Sequence, residues 1–150
     1  MTLTRIPLLI FMGLMLNSCS QTPVLAQSAI SEVVLQTIAM ESANQSARGQ
    51  QLVAHVIINR SMASNRSLEA VCKAHRQFSA WNDPKLARAW LASNYTNNVR
   101  QNAHKALEMA FKSSSYPTIT HYHTKNVRPY WAKSMKVVVV EGEHIFYKEG

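Results

Sequence analysis

The sequence predicts an α+β domain in which helices dominate, with a small antiparallel sheet at its C-terminal end. Three observations predict it. From residue 30 to about residue 111 apolar residues recur three or four apart, the spacing that lines one face of a helix. Beyond that the pattern changes: "TITHYHT" alternates, and "KVVVV", "EGE", "HIFYK" reads as two strands joined at Gly142. Finally, 47% of the 150 residues are apolar and only 16% charged, which supports one packed core in one domain over a disordered chain.

The N-terminus sets the context. "MTLTRIPLLIFMGLMLNSCS" has one Arg, an apolar run from Ile6 to Leu16, and then small and polar residues. The run is short of the ~20 residues that a membrane span needs and fits the apolar part of a secretory signal. Its end reads in two ways. "LNSC" resembles a lipobox with Cys19 as the lipidated residue, which makes 1–19 a lipoprotein-type signal. Alternatively Val24 and Ala26 in "PVLAQ" direct simple secretion by cleavage before Gln27, which makes the signal 1–26. The sequence narrowly favours the first. Residues 20–29 are polar, contain Pro23 and read as a tether; 30–150 reads as the folded domain. Either way the protein is exported to the periplasm or cell envelope. Cys72 then stands alone, which excludes a disulfide scaffold, and in "LEAVCKA" it reads as a small buried hydrophobe. The net charge of +8 implies an anionic partner, and export argues for membrane lipid or wall polymer over nucleic acid.

The elements follow in order. A helix from Ser28 carries Ile30, Val34 and Ile38 four apart, with Glu41 three further on the same stripe. Gly49 starts a second helix or sits in a tight turn before it. Leu52, Val53, Val56 and Ile57 form its apolar face, ending near Asn59 and Arg60, with "SMASNRS" as a loop. Ser67 caps a short helix through Ala74. "RQFSAWND" is irregular. Asp83 is an N-cap with Pro84 at the first helical position, and that helix carries Leu86, Trp90 and Leu91. Asn97 opens a last helix with Val99, Ala103, Ala106, Leu107, Ala110 and Phe111. In the strand region Ile119, His121 and His123 share one face, and Thr120, Tyr122 and Thr124 the other.

Glu41 is the first candidate for chemistry. A carboxylate on an inward face is costly unless paired, hydrogen-bonded or protonated, and a carboxyl kept protonated near neutral pH is what a general acid requires. The competing reading is a Glu at a helix terminus, in solvent or paired with Arg48 or Arg60. Of the other acids, Glu32, Glu69 and Glu108 fit solvent faces, Asp83 a cap, Glu141 and Glu143 a turn, and Glu149 the chain end. His121, His123 and His144 make a weaker candidate zinc set on neighbouring strands. The aromatic residues of the irregular and strand segments, with amides such as Gln77 and Asn82, suit a cleft that stacks sugar rings, or simply a core.

Four blocks in order resemble the SleB-type cell wall hydrolases, the family of spore-cortex-lytic enzymes. "IAMESANQSARGQQLVAHVIINR" is similar to the family's acid-bearing opening block, which ends in Asn-Arg. "AVCKAHRQFSAW" resembles its Gln-Phe-Ser block. "THYHTKNVRPYW" resembles the block with Tyr and His before Pro and Trp, and "GEHIFYK" the closing His-x-Phe-Tyr. The resemblance implies a helical fold like lysozymes and lytic transglycosylases. It implies cleavage of peptidoglycan between N-acetylmuramic acid and N-acetylglucosamine, with Glu41 as catalytic acid and no metal or cofactor. It also implies that Gln77, Ser79, Tyr122 and Trp131 line the sugar cleft of a monomer, with His144 and Phe146 supporting the sheet. One departure stands out: the family commonly carries a second Glu four residues on, and this chain has Gln45. A transglycosylase works with one carboxylate, whereas hydrolysis asks for two, with Asp83 the one loop acid to nominate. Two other readings remain open: a non-catalytic wall-binding lipoprotein, and a zinc amidase built on the three His.

Overall fold

The computed structural model describes residues 30–116 and 118–150. The leader (1–19 or 1–26), the tether 20–29 and the lipidation site Cys19 lie outside the described residues.

Helix α1 (Glu32–Ser42) turns Val34, Leu35, Ile38 and Ala39 into the core and ends with Ser42 Oγ donating to the Ile38 carbonyl at 2.6 Å. A four-residue turn leads to α2 (Ala47–Ser64). Its cap is Ser46, whose hydroxyl accepts the Gly49 N–H at 3.0 Å, so Gly49 lies in the first turn of the helix. A Cβ on Gly49 would stand 2.9 Å from Gln45 Cβ, which is why the chain has none there. α2 is buried from Leu52 through Asn59 and forms the central helix of the domain. It runs past Arg60, through part of the segment expected to be a loop, and stops at Asn65, which adopts φ 51°. Nothing in "SMAS" breaks a helix; the left-handed Asn does.

Ser67 caps α3 (Leu68–Cys72) by accepting the Ala70 N–H, and that helix ends two residues earlier than expected. Asp83 caps α4 (Pro84–Asn94) by accepting the N–H groups of Lys85 and Leu86 through Oδ1. Leu86 itself is exposed; the residue α4 buries is Ala87. Thr96 caps α5 (Asn97–Lys112), which packs Ala103, Ala106, Leu107 and Ala110 inward. Phe111 is exposed, because one step past Ala110 turns a side chain by ~100° and off the buried stripe. Small residues on α5 let it lie close along α1 and α2.

The sheet comprises β1 (His121–Thr124), β2 (Lys136–Glu141) and β3 (His144–Lys148), antiparallel in the order β1-β3-β2. Gly142 takes φ +54° in the tight turn between β2 and β3. Tyr122 pairs with Phe146 and Thr124 with His144, so these four share the inner face; His121, His123, Ile145 and Tyr147 share the outer one. Phe146 and Ile119 close a second apolar cluster with Leu52, Val53 and Val56 of α2. Ile119 therefore points inward rather than sharing a face with His121 and His123: it precedes β1, and the strand alternation does not reach it.

Candidate active site

Glu41 sits in the last turn of α1, partly buried, where three donors meet it. Ser79 Oγ donates to Oε1 at 3.1 Å and the Ala80 N–H to the same oxygen at 2.9 Å. The Tyr122 hydroxyl donates to Oε2 at 2.7 Å. The desolvation cost of the carboxylate is thus offset by hydrogen bonds, which is how a partly buried acid is tolerated.

Each donor has a local cause. Phe78 is buried and anchors the 3-10 turn Ser79–Trp81, which presents the Ser79 hydroxyl and Ala80 amide together. Trp81 Nε1 donates to Thr37 Oγ1 at 2.8 Å, one helical turn before Glu41, so α1 and the 3-10 turn are joined at two levels. Tyr122 lies on the inner face of β1, its ring 5.5 Å from that of Phe146 and 5.0 Å from that of His144. Burial, reinforced by the Glu41 charge, pushes the Tyr122 phenol well above its ordinary value, so it stays a protonated donor.

Arg60 holds these pieces in register. Its Nε donates to the Thr120 carbonyl at 2.6 Å, two residues before Tyr122, and its Nη1 to the Gln77 carbonyl at 3.0 Å, two residues before Ser79. The guanidinium lies 5.1 Å from the centre of the Phe78 ring. Asn59, the residue before it, donates to the carbonyls of Tyr116 (3.0 Å) and Ile119 (2.7 Å). One amide and one guanidinium at the end of the apolar run of α2 thus fasten both segments that deliver donors to Glu41. From the sequence Asn59 had no role, and Arg60 stood only as a candidate ion-pair partner of Glu41. Neither it nor Arg48 pairs with Glu41 among the described residues, and Arg48 lies against Glu141 instead. The signal was present: two polar side chains closing an otherwise apolar helical face.

Of the residues expected at the site, Ser79 and Tyr122 contact Glu41 directly. Gln77 is held by its backbone, and its exposed side chain lines a neighbouring depression of about 380 Å³. Trp131 stands elsewhere: its ring packs against His121 (5.1 Å), His123 (5.7 Å) and Tyr147 (5.5 Å), the outer-face residues of the sheet, while Tyr122 faces inward. Asp83 keeps its capping role and lines a groove of about 360 Å³ beside Ser79, Ala80 and Trp90.

The three His do not assemble. His144 is buried on the inner face, His121 and His123 lie on the outer one, and among the described residues no group of three His, Cys, Asp or Glu is placed to hold a metal ion. Burial pushes the His144 and His121 imidazoles below their ordinary value.

Gln45 has structural work. Its Oε1 accepts the Glu143 N–H at 3.1 Å and its Nε2 donates to Asn44 Oδ1 at 2.9 Å, which ties the α1–α2 turn to the hairpin. A Cβ on Gly142 would collide with the Gln45 amide oxygen, and φ +54° there already excludes most side chains. Gly142→Ala is therefore expected to lower stability by about 1–3 kcal/mol, read from the urea midpoint at unchanged slope.

Glu41 is thus a hydrogen-bonded carboxylate at the end of the first helix of a helical domain, set against a small sheet. The profile of the cell wall hydrolase family matches residues 44–147, and the chain belongs to that family, the SleB-type enzymes that act on the cell wall. The matched stretch begins at Asn44, three residues after Glu41. The fold is similar to the catalytic domain of the germination-specific lytic transglycosylase SleB from Bacillus anthracis, with a TM-score of 0.58 and 22% identity over 81% of this chain and 98% of that one. No curated protein matches the chain. Among the described residues no helix is long and apolar enough to cross a membrane.

Proposed function

We propose that this protein cleaves peptidoglycan glycan strands between N-acetylmuramic acid and N-acetylglucosamine as a lytic transglycosylase, with Glu41 as the single acid/base. The observation that carries the reading is the donor set on Glu41: three donors converge on one carboxylate, and among the described residues no second carboxylate is bonded to it.

Oε1 already accepts two hydrogen bonds and Oε2 one, so the free lone pair, and hence the catalytic proton, belongs to Oε2. Glu41 donates that proton to the glycosidic oxygen as the bond to the muramyl C1 breaks. The carboxylate that forms is met by donors already in place, which is electrostatic stabilisation without reorganisation. The same carboxylate then takes the proton of the sugar's C6 hydroxyl, whose oxygen bonds C1 and closes a 1,6-anhydro ring. The proton count returns to its start and no water is consumed. Ordinary glycosidases need a second carboxylate at defined separation; Asp83, the one nominated from the sequence, is engaged as a helix cap.

Mass spectrometry of products released from peptidoglycan by the purified exported chain tests this. Anhydro-muropeptides support it; reducing muramyl ends would replace it with hydrolysis, and released stem peptides with an amidase. Tyr122→Phe is expected to lower kcat about ten- to a hundredfold with KM little changed, since it removes one donor from the forming charge. Export through the leader is part of the same proposal, with Cys19 as lipid anchor or Gln27 as mature N-terminus; the mass of the mature N-terminal peptide separates the two.

A further inference from the structure

The outer face of the sheet has no part in the chemistry above. Trp131 roofs one end of it, over His121, His123 and Tyr147. The other end stands open. Val137 pairs with Tyr147 and Val140 with Ile145, so both valines lie on this outer face, and both are exposed. Val138 sits in the bulge between them and is exposed as well. Tyr130, next to Trp131, is 87% exposed, and Val127 in the preceding loop is exposed too. A single exposed apolar residue needs no explanation, but five between residues 127 and 140 mark a contact surface. The other large apolar residues that stand exposed are scattered over α2, α4 and α5.

The same stretch is cationic. From Lys125 to Val140 it holds Lys125, Arg128, Lys133 and Lys136 and no acid. All four are exposed, and among the described residues none forms an ion pair with a carboxylate. Lys136 pairs across the strands with Lys148, two like charges side by side, an arrangement that costs stability until an anion arrives. Glu141, which follows, pairs with His144 on the inner side; there Ser46 Oγ donates to it at 2.8 Å and Arg48 stands 3.6 Å away. Glu143 lies at the hairpin turn, where its carbonyl accepts the Lys125 N–H at 2.9 Å, and offsets at most that one cation.

Apolar side chains and cations together select the partner. An anionic polymer uses the cations and gains nothing from exposed Val and Tyr. A second copy seated by the same face sets one cationic loop against another, which like charges oppose, and the bulge at Val138 disfavours pairing along the β2 edge. An anionic bilayer uses both: its phosphates attract Lys and Arg, its acyl boundary takes the aliphatic groups, and aromatic rings settle at the headgroups between. This face is also the opposite of the one that carries Tyr122 to Glu41, so a membrane against it leaves the donors of Glu41 uncovered.

We infer that the outer sheet face and the loop before it dock the protein on an anionic lipid surface, with Arg128 and Lys133 at the phosphates and Tyr130, Val137 and Val140 entering the headgroup layer. The contact is peripheral and reversible. It requires neither lipid on Cys19 nor the role assigned to Glu41, and in an exported chain it keeps the enzyme on the membrane side of the wall.

The test uses the chain from Gln27 to Gly150, which holds every described element and no leader, with vesicles of phosphatidylcholine alone or mixed with phosphatidylglycerol. Co-sedimentation is expected with the anionic vesicles at physiological salt, to fall as salt rises, and to be absent with the neutral ones. Arg128→Ala combined with Lys133→Ala is expected to weaken it about twenty-five-fold, close to fivefold for each cation. Tyr130→Ser combined with Val137→Ser is expected to weaken it about tenfold while the salt dependence persists. All four side chains are exposed and none touches Glu41 or its donors, so the urea midpoint and the cleavage of soluble glycan strands are expected to match the parent chain. Absence of binding to anionic vesicles, or equal binding to neutral ones, would overturn the proposal. Binding that the Tyr130 and Val137 changes leave intact would make the face a plain polyanion site, and dimers in sedimentation equilibrium that Val137→Ser dissolves would assign it to a second copy; either result overturns the lipid reading. A chain that cleaves no peptidoglycan would end the glycan-cleaving reading and leave the vesicle result standing.

Discussion

Glu41→Gln is expected to lower glycan-strand cleavage by about 10²–10⁴-fold, the range for removing a positioned general acid/base, with the folded structure retained. The amide keeps an oxygen for Ser79 Oγ and the Ala80 N–H, and its nitrogen replaces the oxygen that accepts from Tyr122. Tyr122, held in its protonated form, then has to turn its hydroxyl and accept instead. The geometry survives and the proton is gone. Turnover of muropeptides measured beside a urea unfolding curve checks both halves. Activity within tenfold of wild type would end the role assigned to Glu41. Loss of activity with loss of fold would leave it undecided, and Glu41→Asp then serves: it keeps the acid and shortens its reach by one carbon, so kcat is expected to fall far more than stability.

Arg60→Ala carries the largest expected effect on stability. It removes two hydrogen bonds to the Thr120 and Gln77 carbonyls and uncovers the face of the Phe78 ring. Each carbonyl left poorly satisfied in a desolvated place costs about 1–3 kcal/mol, and a domain of this size loses on the order of 10 °C in Tm for such a sum. Activity is expected to fall with it, because the segments that lose their tie are the ones that carry Ser79, Ala80 and Tyr122 to Glu41. Arg60→Lys separates the two effects. An ammonium keeps the charge but cannot reach two carbonyls in a fixed fork while lying flat on a ring, so it recovers part of the stability and little of kcat. A Lys variant with full activity would show that charge, and not the fork, is what the site needs.

The readable parts of this protein were those governed by neighbours in the chain. The step of four from Val34 to Ile38 puts Glu41 on the inward side of α1, and no tertiary information is required to see it. Asp83-Pro84 announces the start of α4, and Gly142 marks the hairpin, since a cap and a left-handed turn are decided within a few residues. The errors were also local. α2 passes through Ser61 and Met62 because no breaker stands there, and Leu86 and Phe111, named among the apolar residues of their helices, lie exposed. A helix's apolar stripe is fixed by what packs on it, and on α4 and α5 small alanines make those contacts.

By itself, then, the sequence determined that helices would precede a small sheet, that Glu41 would face inward, and that the chain resembles the SleB-type cell wall hydrolases. Tertiary structure alone decided what surrounds Glu41. Ser79 and Ala80 lie 38 and 39 residues away and Tyr122 lies 81 away, and they meet at one carboxylate because Arg60 and Asn59 bind carbonyls from two distant segments. The same pleat that brings Tyr122 in sends His121 and His123 out, which parts them from His144 and leaves Trp131 on the outer face. Periodicity tells which side of an element a residue occupies; which two sides face each other depends on loop closure and packing across the whole domain, and no window of sequence contains that.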